Sequence, residues 1–404
     1  MRSVIRAAIA LTVSLSLPMF LVAAPAAANG LHAAIVLPPT GCAVSRTPVA
    51  TFGPVRSSFV HLSGQPYGLA VTPNNQSAFV STDNPPSLRQ YSLKGSVPVQ
   101  KGPNWWRSSS VGAALATQQP GGLALSRSGS VLVVATANGA AVFKVESPRN
   151  TPLSLKLIGD LMSPGSQPLE VALSPNGRFV FLSNHVGSGS LIVFDLHSAL
   201  IHGFGPKDLV GSVSLGSLPG GMTFSPDGSY LYVVSEERST AESFGSLTTL
   251  RIATLEKSPS RAVVSTVNSG CGSVRVVATA SAVYVSARNT NSLLSYSASA
   301  LVNDPNAALR EVVDVGGGPI GLETVNHAKG LVVADALGGT GGALAALRIG
   351  RTGDLAIAGY VRSGMYPREM TISPDGRRLL VGDWQSDQLQ VLQVNALLGS
   401  WRNL

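Results

Sequence analysis

One short motif recurs along the chain and constrains its fold more than any other feature. The motif is a tight turn followed by an apolar run, and its clearest copies are SPDGRRLLVGD (373–383), SPDGSYLYVVS (225–235) and SPNGRFVFLSN (174–184). Weaker copies are TPNNQSAFVST (72–82) and SRSGSVLVVAT (126–136). Repetition at a nearly fixed period is typical of folds built from identical supersecondary units.

Each unit also carries a proline ahead of its first apolar run. These prolines are Pro66, Pro120, Pro168, Pro219, Pro319 and Pro367, at intervals of 54, 48, 51, 100 and 48 residues. The double interval contains a degenerate unit at 269–298, in which we place Cys271 at the position of the proline. The chain therefore has seven units.

Each unit has the pattern of a four-stranded antiparallel sheet. The unit that starts at Pro168 contains the strand-like runs LEVALS, RFVFLSN and SLIVFDL. The Pro-Asn-Gly between the first two supplies a proline with fixed φ and a glycine that can adopt φ > 0. A fourth apolar segment precedes each proline, as in VGSVSLG (210–216). Because the runs are apolar on both faces, each sheet should pack between two neighbours. The pattern predicts an all-β, seven-bladed β-propeller.

The two ends of the repeat region predict how the ring closes. The last unit has no fourth strand after Val394, whereas a spare segment, SFVHLSG (58–64), precedes the first proline. We predict that this N-terminal strand completes the last blade, which hides edges that would otherwise pair with other chains. The predicted segments are a signal peptide (1–28), an N-terminal extension (29–56), the propeller (57–398) and a tail (399–404).

The first 28 residues have the features of an export signal. Arg2 and Arg6 precede the apolar segment AAIALTVSLSLPMFLVAA, and Ala26 and Ala28 supply small residues for cleavage. An uncleaved membrane anchor is the alternative, since the apolar core is near the lower length limit for a span. Pro18 and the alanine-rich exit favour cleavage. We therefore expect an exported, periplasmic or extracellular protein with no membrane span after signal removal.

The charge pattern argues against nucleic acid as a partner. The formal net charge of +8 falls to +6 without Arg2 and Arg6, and no block of Lys and Arg with interleaved aromatics occurs.

No phosphate-loop or G-x-S-x-G motif is present, and GGGPIG (316–321) lies between two predicted strands and opens no helix. The Asp-Gly turns lack the spaced oxygen ligands of a calcium loop. We expect no cofactor, no metal and a monomer.

Two cysteines, Cys42 and Cys271, are the only ones in the chain. This number excludes metal sites of the Cys-x-x-Cys type. In an oxidising compartment the two could form one disulfide that closes a loop of more than two hundred residues. Two buried free thiols are the alternative, and we predict the disulfide.

The last unit, YPREMTISPDGRRLLVGDWQSDQLQVLQV (366–394), resembles the end of YVTN-type and lactonase-like seven-bladed propellers. The resemblance covers nearly all of the predicted mature chain. For active lactonase-like members it implies a histidine, two arginines and a glutamate around the central funnel. Glu236 matches the glutamate and Arg288 matches one arginine. The histidine position holds Leu169 and Glu170 instead.

The position of the second arginine holds Gly220 and Gly221, so half of that constellation is missing. A glutamate can act as a general base and an arginine can stabilise an oxyanion, but the two alone could also form a salt bridge across the funnel. His185 could substitute for the missing histidine, or it could be an ordinary polar loop residue.

Polar residues at the ends of the second strands should gather at one end of the ring. These residues are Asp83, Asn184, Glu236, Arg288, Asp335 and Asp383, and Arg368 and Glu369 follow the last proline. We predict ligand-binding roles for His185, Arg368, Glu369, Asp383 and Glu170, with Glu236 and Arg288 as candidate catalytic residues. The favoured function is an exported module that binds a small ligand or protein partner at the funnel. The alternative is a lactonase-like hydrolase or cyclase that acts on a sugar lactone or related acidic ring.

Overall fold

The computed structural model describes residues 55–106, 119–147, 153–239, 244–336 and 341–401, all within one compact unit. These residues form seven four-stranded antiparallel sheets, one for each predicted repeat unit. The prediction of a seven-bladed β-propeller is confirmed. In the same ranges, no helix is both long and apolar enough to cross a bilayer.

The strands follow one another in a regular order from the innermost to the outermost position of each blade. Blade 1 contains β2 (Gln65–Val71), β3 (Ser77–Asp83), β4 (Ser87–Ser92) and β5 (Val99–Lys101), and blade 2 contains β6 (Leu123–Leu125), β7 (Val131–Thr136), β8 (Gly139–Glu146) and β9 (Ser154–Met162). Blade 3 contains β10 (Pro168–Leu173), β11 (Phe179–Asn184), β12 (Ser190–Asp195) and β13 (Leu209–Ser214), and blade 4 contains β14 (Ser217–Phe224), β15 (Tyr230–Glu237), β16 (Phe244–Arg251) and β17 (Val263–Cys271). Blade 5 contains β18 (Ser273–Ala278), β19 (Ala282–Ala287), β20 (Ser292–Ser297) and β21 (Leu309–Asp314), and blade 6 contains β22 (Pro319–Val325), β23 (Gly330–Asp335), β24 (Ala343–Ile349) and β25 (Leu355–Arg362). Blade 7 contains β26 (Pro367–Ile372), β27 (Arg378–Asp383), β28 (Gln388–Gln393) and β1 (Ser57–His61).

Within the described ranges, short α-helices follow the third strand of four blades. They are α1 (Leu196–His202), α2 (Ile252–Leu255), α3 (Ala300–Asn303) and α4 (Val394–Trp401). The carboxylate of Asp195 caps α1 by accepting a hydrogen bond from the backbone N–H of Ser198 at 2.8 Å. In the last blade, α4 takes the place in the chain where other blades continue to a fourth strand.

The fourth strand of blade 7 comes from the N-terminal end of the ring, as predicted. Strand β1 pairs antiparallel with β28, from Ser57 opposite Leu392 to His61 opposite Gln388. Leu62 continues this contact, since its backbone N–H donates to the carbonyl of Asp387 at 2.7 Å. The chain therefore closes the ring by pairing its first described strand with its last.

The recurrent motif forms the turn between the first two strands of a blade. In SPDG (225–228), the Asp227 carboxylate accepts hydrogen bonds from the Ser225 hydroxyl and the Ser229 backbone N–H. These bonds lower the pKa of Asp227, and the bond from Ser225 has the largest effect. Gly228 has φ +72°, a conformation that L side chains rarely adopt. Serine, aspartate and glycine therefore recur for reasons of turn geometry. We call the end of the ring that carries these turns the turn face, and the opposite end the funnel face.

The degenerate fifth unit begins two residues later than predicted. Ser273 pairs with Ala287 in the same register in which Pro168 pairs with Asn184. Cys271 is instead the last residue of β17. The placement of Cys271 at the proline position was therefore wrong, because no proline in this unit marks where the first strand begins.

Candidate functional site

Each blade has one residue at an equivalent position in its innermost strand, or directly before that strand, two residues after the proline position. Four of the seven are glycines, and the other three are charged: Gly68, Gly122, Glu170, Gly221, Arg275, Gly321 and Glu369. The three charged side chains come from blades 3, 5 and 7 and meet one another. We call Glu170, Arg275 and Glu369 the channel cluster.

The channel cluster is a buried ionic triad. One nitrogen of Arg275, Nη2, lies 2.7 Å from Oε1 of Glu170 and 2.6 Å from Oε2 of Glu369. Only 11% of the Arg275 side chain is exposed, against 13% for Glu170 and 18% for Glu369. Because the guanidinium already binds two carboxylates, its charge is balanced within the protein, and an incoming anion would have to compete with them.

The neighbouring glycines make room for this cluster. A Cβ at Gly122 would lie 2.5 Å from Oε2 of Glu170, and a Cβ at Gly221 would lie 2.9 Å from Cδ of Arg275. Real Cβ atoms do not approach other atoms so closely, so larger residues at these two positions would displace the charged side chains. The glycines and the charged residues at this level of the ring's central channel therefore depend on each other: the absence of side chains at the glycines leaves the space that the charged side chains fill.

The pKa values within the cluster follow from burial and from mutual charge. Burial raises the pKa of Glu170 to about 7, and the Glu369 carboxylate adds to this effect while Arg275 opposes it. Burial acts to lower the pKa of Arg275, but the two carboxylates outweigh it and keep the guanidinium charged. Burial, with a smaller contribution from Glu369, also raises the pKa of the nearby Glu323 to about 7.

A second polar contact joins blades 7 and 1. Arg368 donates from Nη2 to the hydroxyl of Tyr67 at 3.0 Å, and its guanidinium carbon lies 4.2 Å from the centre of the Tyr67 ring. Burial raises the pKa of the Tyr67 hydroxyl. The predicted ligand-binding residue Arg368 is thus held against an aromatic ring by a hydrogen bond and a cation–π contact.

The two candidate catalytic residues form an ion pair between blades 4 and 5. Arg288 Nη2 lies 2.6 Å from Glu236 Oε2, with 30% of the arginine side chain and 19% of the glutamate side chain exposed. The sequence allowed either a catalytic base beside an oxyanion donor or a simple salt bridge, and the observed geometry is that of the salt bridge. The catalytic roles of Glu236 and Arg288 stay predictions.

Two predicted funnel residues, Asp335 and Asp383, are fully buried. A Cβ at Gly316 would lie 2.1 Å from Oδ2 of Asp335, and a Cβ at Gly364 would lie 2.5 Å from Oδ2 of Asp383. The loops that precede β22 and β26 therefore cover these carboxylates closely. The ligand-binding role of Asp383 stays a prediction, and its burial does not favour it.

A buried hydrogen-bond network surrounds Asp383. The hydroxyl of Ser363 lies 2.7 Å from both Oδ1 of Asp383 and Oε1 of Gln390, yet it has one proton to donate. A proton on Asp383 would satisfy the other acceptor. Burial raises the pKa of Asp383 to about 7, although the Ser363 hydroxyl opposes this effect.

We predict that Asp335 makes the protein less stable as the pH rises. Burial raises its pKa to about 8; the backbone N–H of Gly317 opposes this effect and Asp314 adds to it. Neither carboxylate oxygen has a partner with good hydrogen-bond geometry among the described residues. Since the folded-state pKa lies above the unfolded value, folding favours the protonated acid. That contribution is complete below about pH 4 and is lost as the pH rises through 8.

Asp335→Asn should therefore stabilise the protein at pH 9 by on the order of 2 kcal/mol and change little at pH 4. Urea unfolding at the two pH values measures the difference. Asp304→Asn, which removes a charge from the connection between α3 and β21, is the control. Equal effects of Asp335→Asn at both pH values would contradict the prediction.

His185 lies directly after β11, next to the start of blade 3. Its backbone N–H donates to the carbonyl of Gln167 at 3.2 Å, and its buried Nδ1 has no partner among the described residues. The structure gives it no contact with Glu236 or Arg288. Its proposed replacement of the missing histidine stays a prediction. No group of three or more His, Cys, Asp or Glu side chains within the described ranges could hold a metal ion.

Cys271 is 1% exposed and disulfide-bonded. Cys42 lies outside the described residues, so the pairing of Cys42 with Cys271 stays a prediction.

Sequence reasoning missed Arg275, the centre of the channel cluster. The strand SVRVVA (273–278) carries a charged third residue, as do PLEVAL (168–173) and PREMTI (367–372). Alignment from Ser273 shows this correspondence, whereas alignment from Cys271 conceals it. Tyr67 was also missed, although it follows Pro66 as Arg368 follows Pro367.

A cavity of about 490 Å³ opens on the funnel face beside Tyr67. It lies where blades 1, 2 and 3 meet. Its described lining residues are Tyr67, Asp83, Pro86, Gln119, Pro120, Gly121, Ala137, Gln167, Pro168 and Leu169. The volume is within the range of small-molecule sites.

Comparison with known proteins supports the fold and one family resemblance. Residues 210–335 match the family described as lactonase, 7-bladed β-propeller. Hydrazine synthase of Kuenenia stuttgartiensis has a similar structure, with a TM-score of 0.60 and 17% identity over 83% of this chain and 96% of that chain. A chain of the mitotic checkpoint complex is similar with a TM-score of 0.59 and 14% identity, over 86% of this chain and 96% of that one. At these identities the two structures show the fold alone. No curated protein matches the chain significantly.

Proposed function

Because this chain is a lactonase-like seven-bladed β-propeller, we propose that it is an exported module that binds a ligand or partner at the funnel face and catalyses no reaction of its own. The observation that carries this proposal is that the three funnel arginines already have side-chain partners within the protein. Arg275 binds two carboxylates, Arg288 binds Glu236, and Arg368 stacks on Tyr67. Each of them would have to leave a protein partner, or share itself with one, to stabilise an oxyanion.

The packing of the inner strands supports the same proposal. The family's second arginine would stand at Gly220 or Gly221, where a Cβ would lie 2.8 Å from the carbonyl of Val274 and 2.9 Å from Cδ of Arg275, respectively. The present backbone therefore leaves no space for a side chain there. The predicted export signal adds a separate argument, because a lactonase of central sugar metabolism would be expected inside the cell.

A lactonase-like hydrolase is the second candidate. The family match at residues 210–335 includes both Glu236 and Arg288, and these side chains are partly exposed. A lactone that opened their ion pair could meet a carboxylate base and a guanidinium together. This candidate therefore depends on the separation of one ion pair.

We expect the wild-type protein to hydrolyse a panel of five- and six-membered sugar lactones no faster than the uncatalysed reaction. The physical reason is that the proposed base and oxyanion donor neutralise each other. A pH-stat assay at neutral pH measures the rate, with Glu236→Gln and Arg288→Ala as test variants. Lys144→Ala, which breaks an exposed ion pair on the outer part of blade 2, is the matched control.

Turnover that Glu236→Gln and Arg288→Ala abolish and Lys144→Ala preserves would establish the second candidate and overturn the first. A thermal-shift screen of small molecules tests the binding function. Stabilising ligands should lose their effect in Tyr67→Ala and keep it in Asp227→Asn, a variant of the turn face.

A further inference from the structure

We propose that the cavity beside Tyr67 binds a neutral carbohydrate of one or two sugar rings. This inference rests on the proposed binding function and assigns a ligand class to it. The cavity is separate from the Glu236–Arg288 pair, since its lining comes from blades 1 to 3 and that pair belongs to blades 4 and 5.

The charge of the cavity disfavours anions. Asp83 is the one charged residue among the described lining residues. Arg368 is not among these lining residues, and its Nη2 donates to the hydroxyl of Tyr67. An acidic sugar would therefore meet the Asp83 carboxylate with no cationic side chain in the described lining, which costs binding energy.

The hydrogen-bonding groups of the cavity suit hydroxyl groups. Gln119 and Gln167 are exposed at its edge, and within the described part of the chain their side-chain amides have no partner. Each amide offers donors and an acceptor, which matches a hydroxyl group that also does both. Asp83 uses Oδ1 to accept the backbone N–H of Asn84 at 2.8 Å, which leaves Oδ2 as an acceptor.

The remaining lining is apolar and rigid. Pro86, Pro120 and Pro168 have fixed rings, and Leu169 and Ala137 add small apolar surfaces. The C–H faces of a sugar ring can pack on such surfaces while its hydroxyl groups reach the amides at the edge. The volume of about 490 Å³ allows one or two rings.

Isothermal titration with matched probes tests the ligand class. The panel consists of neutral mono- and disaccharides, the corresponding uronic acids and the corresponding amino sugars. We expect neutral saccharides to bind and uronic acids to bind at least tenfold more weakly. Asp83→Asn should reduce that discrimination to less than threefold. Gln119→Ala and Gln167→Ala should each weaken neutral binding about tenfold, the loss of one hydrogen bond.

The variant Glu146→Gln removes one negative charge from the outer part of blade 2 and is the matched control. It should leave both affinities unchanged. The assignment to neutral sugars would be overturned if uronic acids bound as tightly as neutral sugars. It would also be overturned if amino sugars bound more tightly than neutral sugars and this difference depended on Asp83. Failure of every saccharide to bind would overturn the carbohydrate inference and would leave the proposed function unaffected. The proposed function would be overturned by lactone turnover that depends on Glu236.

Discussion

Arg275→Met should destabilise the protein by roughly 3–5 kcal/mol at pH 8. Removal of the guanidinium leaves Glu170 and Glu369 buried and facing each other without a positive charge, and broken buried ion pairs typically cost this much. Urea unfolding followed by tryptophan fluorescence measures the change.

The pH dependence of this variant identifies its cause. Without Arg275, the Glu170 and Glu369 carboxylates would face each other unpaired, and the folded-state pKa of Glu170 should rise further above its unfolded value. Their unfavourable contribution then appears as the pH rises above about 4, so Arg275→Met should be closer to wild type at pH 5 than at pH 8.

Two further variants complete the test of the channel cluster. The triple variant Glu170→Gln, Arg275→Met and Glu369→Gln should recover most of the lost stability, because it leaves no unpaired charge. Arg178→Met, at an exposed arginine before β11, should cost less than about 0.5 kcal/mol. An Arg275→Met variant as stable as Arg178→Met would show that the cluster does not stabilise the channel.

Deletion of residues 30–64 should make the protein aggregate. The deletion removes β1, which exposes the hydrogen-bonding edge of β28, and it removes Leu62, of which 2% is exposed. Burial of one such leucine contributes about 1.5–3 kcal/mol, so together with five paired residues the loss should reach at least ~3 kcal/mol. Size-exclusion chromatography and thermal unfolding measure the two effects.

The matched control for this deletion is removal of residues 30–54 alone. This shorter deletion also removes Cys42 but keeps β1, so the two proteins differ only in the closing strand and its flanks. It should not aggregate. Closure by β1 would be unimportant if both deletions gave monomers with the same melting temperature.

The repeat in the sequence by itself determined the architecture. Turn residues such as Pro, Asp and Gly act locally, and the period of about fifty residues fixes the number of blades. The missing last strand and the spare first one predicted closure by β1. The sequence also predicted that Glu236 and Arg288 lie close together. They occupy matching positions in successive units, and such positions are neighbours in a ring.

Only the tertiary structure decided which charges meet in the channel. Arg275 lies 105 residues from Glu170 and 94 from Glu369, in blades that are not adjacent, and Arg368 lies 301 residues from Tyr67. Such contacts depend on the curvature of the closed ring and on the space left by glycines in other blades. Burial of Asp335 and Asp383 also depends on loops that fold over them. No local pattern carries these distances, because they are set by how seven sheets pack around one axis.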